Sequence, residues 1–348
     1  MRAVKQTGPR TVEVVTLPDP EPGPGQVVVA MRAAGLCGSD LHVYRKGPHP
    51  PPYSDIPGHE PCGVVETVGA GVTHLAPGDR VTVYHYESCG RCRVCRQGNW
   101  MWCVEKQATG WHLPGSCADK LLIAARNCLP LPASLSFTEG ALIACGAGTA
   151  WSALNKIRPE TGDTVVVFGL GPIGLVGIAL LRARGVRVVA VGRRAARLRL
   201  ATEMGAETVL DAATENISEA LHRLFPGGEE AGPNLAFETS SAPEAEQQMV
   251  DILCQGGRAV VVGIGNQAPA INTESLTGKQ LSVHGSYVMN AGEYESLARF
   301  MAEQPLNLER IVTHRFRIED AAEAFRTADT GDCGKVIFEW PDNGVSYD

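Results

Sequence analysis

The chain has 348 residues, enough for about two domains of ordinary size and a sizeable core. Hydrophobic residues make up 44% and charged residues 20%, which excludes a disordered chain or a coiled coil. The net charge of −7 comes with no basic block, which excludes the electrostatic footprint of a nucleic-acid binder. Two counts stand apart. The 39 glycines exceed the usual ~7% without any collagen period. Eleven cysteines, an odd number, fit a reduced intracellular protein with metal or redox sites better than a disulfide scaffold.

The opening MRAVKQTGPRTVEVV alternates like a strand and has no long apolar stretch. It predicts no secretory signal, and a cytoplasmic setting is expected. Segments 12–17, 26–34 and 63–68 are rich in β-branched residues and predict strands. Turn clusters at 18–25 and 48–52 separate them, and PGDRV at 77–81 feeds a strand at 81–84. Residues 1–125 therefore predict a partly antiparallel β-barrel.

From about residue 150 the pattern becomes alternating strand and helix. Strands are predicted at 164–169, 186–192, 235–238, 259–263 and 281–286, and helices at 172–183 and 195–204. Such alternation implies an α/β fold with a doubly wound parallel sheet. The uncharged run 164–181 reaches the lower edge of a membrane span. Gly169, Gly171, Pro172, Gly174 and Gly177 lie inside it, so a strand, a tight turn and a buried helix explain it better. After about 290 come a helix, a strand at 311–316, a helix at 319–327 and a last strand at 335–340. There is no internal repeat.

Cys89, Cys92, Cys95 and Cys103 are spaced C-x2-C-x2-C-x7-C. Tetrahedral Zn²⁺ takes four soft ligands at about 2.3 Å, and x2 pairs let a short loop aim thiolates at one point. Four thiolates leave no open position, so this zinc would be structural. Arg91, Arg93 and Arg96 interleave with the cysteines and would offset their charge. Surface thiols or a disulfide pair are the competing reading. A DNA-reading zinc module is opposed by the large, acidic α/β remainder.

GLGPIG, from Gly169 and Leu170 through Gly171, Pro172 and Ile173 to Gly174, matches G-x-G-x-x-G between a strand and a helix. That context predicts a dinucleotide site, with the pyrophosphate at the helix N-terminus. A packing turn without a ligand is the alternative. The next strand commonly ends in an acid that binds the ribose hydroxyls of NAD. Here it ends in Gly192, Arg193 and Arg194, with Arg197 beyond. Guanidinium groups pair with a 2′-phosphate that a carboxylate would repel, so NADP(H) is predicted over NAD(H). The competing reading makes these arginines solvated residues at a helix start.

GLCGSDLH at 35–42 and PGHEPCG at 57–63, followed by the cysteine lobe and the glycine turn, resemble the zinc-containing medium-chain dehydrogenase/reductase family. This is the alcohol, polyol and threonine dehydrogenase group, and the resemblance covers essentially the whole chain. It implies a GroES-like β-barrel catalytic domain interrupted by a Rossmann domain. The expected segments are 1–150 and 291–348 for the catalytic domain and 151–290 for the cofactor domain. It also implies a second, catalytic zinc held by Cys37, His59 and Cys145, with Glu60 entering or orienting the coordination shell. Polyol and threonine dehydrogenases tend to have an acid at the third ligand, so Cys145 leans toward the alcohol dehydrogenase pattern, whereas CGSDLH looks more like the polyol branch.

By the same resemblance, Ser39 accepts the substrate proton and His42 relays it to solvent. The bland alternatives make Ser39 a helix cap and His42 a surface residue. Asp40 reads as a cap or a hydrogen-bond partner of a ligand. Glu238, Val262 and Gly263 would line the cofactor cleft, and Lys335 matches a position that reaches the cofactor phosphates. Cys62, Cys117, Cys128, Cys254 and Cys333 read as buried small residues, and the other histidines carry no assignment. The expected reaction moves a hydride between NADP(H) and a secondary alcohol or polyol, or the matching ketone. Its rivals are an NAD-linked sugar-alcohol or amino-alcohol dehydrogenase and a zinc-binding structural protein that keeps the fold. The partners expected are a small-molecule substrate and further copies of the chain, as a homodimer or homotetramer, with no nucleic acid and no membrane.

Overall fold

The computed structural model describes residues 1–227, 232–265 and 271–340. They divide into two compact units. The first combines Met1–Cys145, Asn290–Glu303 and the described part of Val312–Asp348, and the second combines Gly146–Met289 and Gln304–Ile311.

The first unit is built on a seven-stranded sheet. Along it lie Val312–Phe316, Lys335–Glu339, Gln26–Gly35, Glu60–Val68, Arg80–Val83 and Cys128–Pro130, and Lys120–Ala124 also pairs with Gln26–Gly35. All pairings are antiparallel except that of Val312–Phe316 with Lys335–Glu339. Apolar alternation drives the packing: Val27, Val29, Met31, Val65, Val81, Leu121 and Ile123 bury their side chains in one core. Phe325, on helix Ala321–Thr330, and Phe338, on the last strand, join the same core. The predicted 12–17 strand is Thr11–Thr16, which forms a separate hairpin with Arg2–Gly8. Asn290 closes the cysteine lobe: its Nδ2 donates to the Gln97 carbonyl at 2.9 Å and to Asn99 Oδ1 at 2.7 Å.

The second unit holds a six-stranded parallel sheet. Its spatial order is Thr208–Asp211, Arg187–Gly192, Thr164–Phe168, Leu235–Glu238, Arg258–Val261, Ser282–Gly285. In sequence terms this is 3-2-1-4-5-6, the Rossmann order, with its switch point between the two central strands. Every residue of Thr164–Phe168 and Leu235–Glu238 is buried, as central parallel strands require. Thr208–Asp211 has no counterpart among the predicted strands. The uncharged run resolves into Thr164–Phe168 and the helix Pro172–Ala183, and no helix among the described residues is long and apolar enough to cross a membrane.

Candidate functional site

Two groups of metal-ligating side chains stand out, both in the first unit. The first is Cys89, Cys92, Cys95 and Cys103, whose ligand atoms lie within 4.8 Å of one another. Cys89–Cys95, Cys92–Cys95 and Cys92–Cys103 sulfur separations are 3.8, 3.3 and 4.0 Å. Tetrahedral Zn–S bonds of about 2.3 Å place sulfurs about 3.8 Å apart, so these four thiols fit zinc. Backbone N–H groups of Arg91 and Cys92 hold the Cys89 thiol down to about 6, favouring the thiolate. Arg91, Arg93 and Arg96 are exposed, and Arg91 reaches Glu105 at 3.6 Å.

The second group is Cys37, His59, Glu60 and Cys145. Cys37 precedes helix Gly38–Lys46, His59 and Glu60 stand where strand Glu60–Val68 begins, and Cys145 lies in the π-helical stretch Ile143–Ala147. The sulfurs of Cys37 and Cys145 are 3.9 Å apart, again the zinc spacing. A hydrogen bond from Cys145, with nearby His59, holds the Cys37 thiol well below its ordinary value. The same bond, with burial, keeps the Cys145 proton on. One thiolate, one thiol and a histidine form a buried N/S donor set of the kind zinc prefers.

Asp40 fixes this arrangement twice. Its Oδ2 accepts from the Cys37 backbone N–H at 2.8 Å, capping the helix. Its Oδ1 lies 3.1 Å from His59 Nδ1. The helix therefore starts at Gly38 with Asp40 as the capping carboxylate, and Ser39 is not its cap. Burial opposes charge on His59, but Asp40 and Cys37 outweigh it and raise its pKa well above the ordinary value. With Nδ1 engaged, Nε2 is the nitrogen left for a metal. Ser39 Oγ is 3.5 Å from that Nε2. His42 is exposed on the same helix.

Lys335 departs from its sequence-based placement. It is 1% exposed and ion-paired with Glu60, also 1% exposed, so its ammonium is committed inside the first unit and not to cofactor phosphates. The reason is electrostatic: a buried carboxylate needs a counter-ion. Burial nevertheless pushes Glu60 up to about 7 against the pull of Lys335.

His85 and Trp111 join the site without a motif to announce them. Trp111 packs on His59 with ring centroids 4.7 Å apart. His85 meets His59 edge-on at 5.2 Å, and its Nδ1–H donates to the Ala144 carbonyl at 3.1 Å. Burial and the neighbouring His59 push the His85 imidazole down to about 3. Only the buried aromatic run Tyr84–His85–Tyr86, just ahead of the cysteine lobe, hinted at them in the sequence.

In the second unit the glycine turn sits at the switch point. Gly169 has φ +92°, and Thr239 Oγ1 donates to its carbonyl at 2.8 Å. A Cβ on Gly171 would meet nothing within 4 Å, so the backbone is open to a phosphate at the N-terminus of helix Pro172–Ala183. Ile173 follows in the first turn, and Gly174 packs so closely that a Cβ there would meet the Gly169 carbonyl. Gly192 ends its strand against Leu170, and Arg193 and Arg194 follow it, both exposed. Val262 N–H donates to the Glu238 carbonyl at 2.9 Å, and Gly263 lies beside the buried Glu238 carboxylate. Glu238 Oε1 accepts from the N–H groups of Ser240 at 2.6 Å and Ser241 at 2.9 Å, so it shapes this turn. These residues gather at the carboxyl ends of adjacent strands, where such sheets bind nucleotides.

Comparison with known proteins agrees with this geometry. Residues 23–133 match the alcohol dehydrogenase GroES-like domain and residues 172–303 the zinc-binding dehydrogenase family. The chain is 33% identical to the uncharacterized zinc-type alcohol dehydrogenase-like protein YphC of Escherichia coli K12, covering 98% of this chain and 99% of that protein. It is 31% identical to the L-threonine 3-dehydrogenase of Saccharopolyspora erythraea, with the same coverage. Among solved structures, rspB of Escherichia coli CFT073, an alcohol dehydrogenase complexed with NADH, superposes with a TM-score of 0.87 at 26% identity, covering 98% and 99%. A Sinorhizobium meliloti 1021 protein described as a zinc-binding dehydrogenase, bound to NADP, gives 0.88 at 27%, covering 97% and 99%. Two zinc-shaped donor sets, a Rossmann sheet and full-length similarity converge: the chain belongs to the zinc-containing medium-chain dehydrogenase/reductase family and is an oxidoreductase acting on CH–OH groups.

Proposed function

We propose that this chain moves a hydride between NADP(H) and a secondary alcohol or polyol, or the matching ketone. Cys37, His59 and Cys145 would hold a catalytic zinc and leave a position for the substrate oxygen. Cys89, Cys92, Cys95 and Cys103 would hold a structural zinc. When bound, the first zinc supplies Lewis acidity at the C–O group, and the nucleotide exchanges hydride with the carbon.

The side chains do the rest. Asp40 keeps His59 in one tautomer and one orientation. Ser39 Oγ, beside His59 Nε2, takes the hydroxyl proton of the substrate, and exposed His42 hands it to water. Glu60, held by Lys335, orients the ligand set. The glycine turn and the N-terminus of helix Pro172–Ala183 bind the pyrophosphate. A reducing, cytoplasmic setting belongs to this reading, because metal-binding thiolates persist there.

One observation carries the NADP part: the strand Arg187–Gly192 ends in glycine and two exposed arginines where an acid would bind the NAD ribose. Initial-rate kinetics with both nucleotides test it. The panel holds secondary alcohols, polyols, L-threonine and the corresponding ketones. A clear preference for NAD overturns the cofactor assignment, and turnover confined to L-threonine overturns the substrate class.

A further inference from the structure

His85 is 3% exposed and stands among the ligands of the proposed catalytic metal. Its ring is locked. Nδ1–H donates to the carbonyl of Ala144, the residue before Cys145, and the His85 carbonyl accepts from Thr109 N–H at 2.9 Å. Tyr84 and Tyr86 flank the ring at centroid distances of 5.7 and 4.6 Å. Among the described residues, Nε2 makes no hydrogen bond.

A buried polar atom without a partner is costly, and one held rigidly beside a reaction site suits a ligand. The surroundings limit what that ligand offers. Trp111, on His59, is an apolar wall, and the cysteines are committed to metal. Nε2 of His85 is thus a polar contact, near the ligand set, that the proposed mechanism does not use.

We propose that His85 Nε2 hydrogen-bonds a second hydroxyl, on the carbon next to the reacting one, so that the site selects vicinal diols and α-hydroxy ketones over monohydric alcohols. This rests on the dehydrogenase reading above. A hydroxyl both donates and accepts, so it satisfies this nitrogen in either of its forms. His85 is then a specificity-determining residue.

The test is a matched pair, 2,3-butanediol and 2-butanol, on the zinc-loaded enzyme. Wild type is expected to favour the diol in kcat/KM by tenfold or more. His85→Phe removes the polar atom, and the ratio is expected to fall about tenfold, mostly through KM. His85→Gln keeps a polar reach and is expected to hold part of the preference, which guards against a misfolded Phe variant. Calorimetric dissociation constants for the same two compounds in the presence of NADPH are expected to show the same loss. An unchanged ratio in both variants overturns the role of His85. Equal use of the two alcohols by wild type overturns the diol preference while leaving the dehydrogenase reading intact. No turnover of either alcohol or their ketones by wild type would overturn that reading and the proposal with it.

Discussion

Lys335 and Glu60 form an enclosed ion pair, 275 residues apart in sequence, at the edge of the Cys37–His59–Cys145 cluster. Gly35 lies against both side chains, and any Cβ there would collide with them. Removing one partner strands a buried charge, which costs about 3–5 kcal/mol. Lys335→Met is therefore expected to lower the urea midpoint sharply. Adding Glu60→Gln should recover most of the loss. A single variant as stable as wild type would show that Glu60 carries no charge there.

Metal content tests the ligand assignment. Elemental analysis is expected to find close to two zinc per chain. Cys37→Ala should leave about one, abolish alcohol turnover, and keep NADPH binding, because the glycine turn lies in the other unit. Full activity in that variant contradicts the mechanism.

Asp40 acts through His59. Its substitution by Ala removes both the helix cap and the partner of Nδ1. Loss of such a partner typically weakens metal binding about 10–100-fold. Chelator competition is the direct measurement. Asp40→Asn, which keeps one oxygen, should fall between Ala and wild type.

The arginines should set the nucleotide. Arg193→Asp is expected to reduce kcat/KM for NADPH at least tenfold, about the worth of one charge-assisted hydrogen bond, while sparing NADH. Equal losses with both nucleotides would make Arg193 a general contact instead.

Acid stability should depend on Asp119. Its carboxylate accepts from the Arg2 backbone N–H at 2.6 Å, Arg2 Nη2 at 2.9 Å and Trp340 Nε1 at 2.8 Å. Burial pulls upward, but these bonds prevail and lower its pKa below the ordinary value. The stabilisation is present above the unfolded value of about 3.9 and is lost as pH falls through the lower folded value. Asp119→Asn should therefore lower Tm at pH 7, with the gap to wild type closing below about pH 4. Solvent reaches Arg2, so the effect should stay near 1 kcal/mol.

Features written in a few contiguous residues were legible. The four lobe cysteines span fifteen positions, and GLGPIG announces itself between a strand and a helix. The helix Pro172–Ala183 and strand Leu235–Glu238 match their predicted bounds because glycine and proline punctuate one and buried β-branched and aromatic neighbours mark the other. Cys37, His59 and Cys145 were reachable only through family resemblance, since 108 residues separate the two thiols. Thr208–Asp211 is four half-buried residues, too short for a period to show. The Lys335–Glu60 pair and the bond from His85 to Ala144 depend on tertiary folding, which no local pattern encodes.

The pairing of Lys335–Glu339 with Gln26–Gly35 has a consequence for biosynthesis. Gly35, Ala34 and Ala33 gain their partners Ile337, Phe338 and Glu339 only after roughly 300 further residues have left the ribosome, an interval of roughly 15–60 s at ordinary elongation rates. Throughout that interval one edge of the nascent sheet is open and apolar, a template for pairing with another chain. A message broken after codon 150 would release that edge permanently. Such fragments should be found with chaperones or in inclusion bodies, while the second unit, continuous but for one short return, is the part able to fold as it emerges.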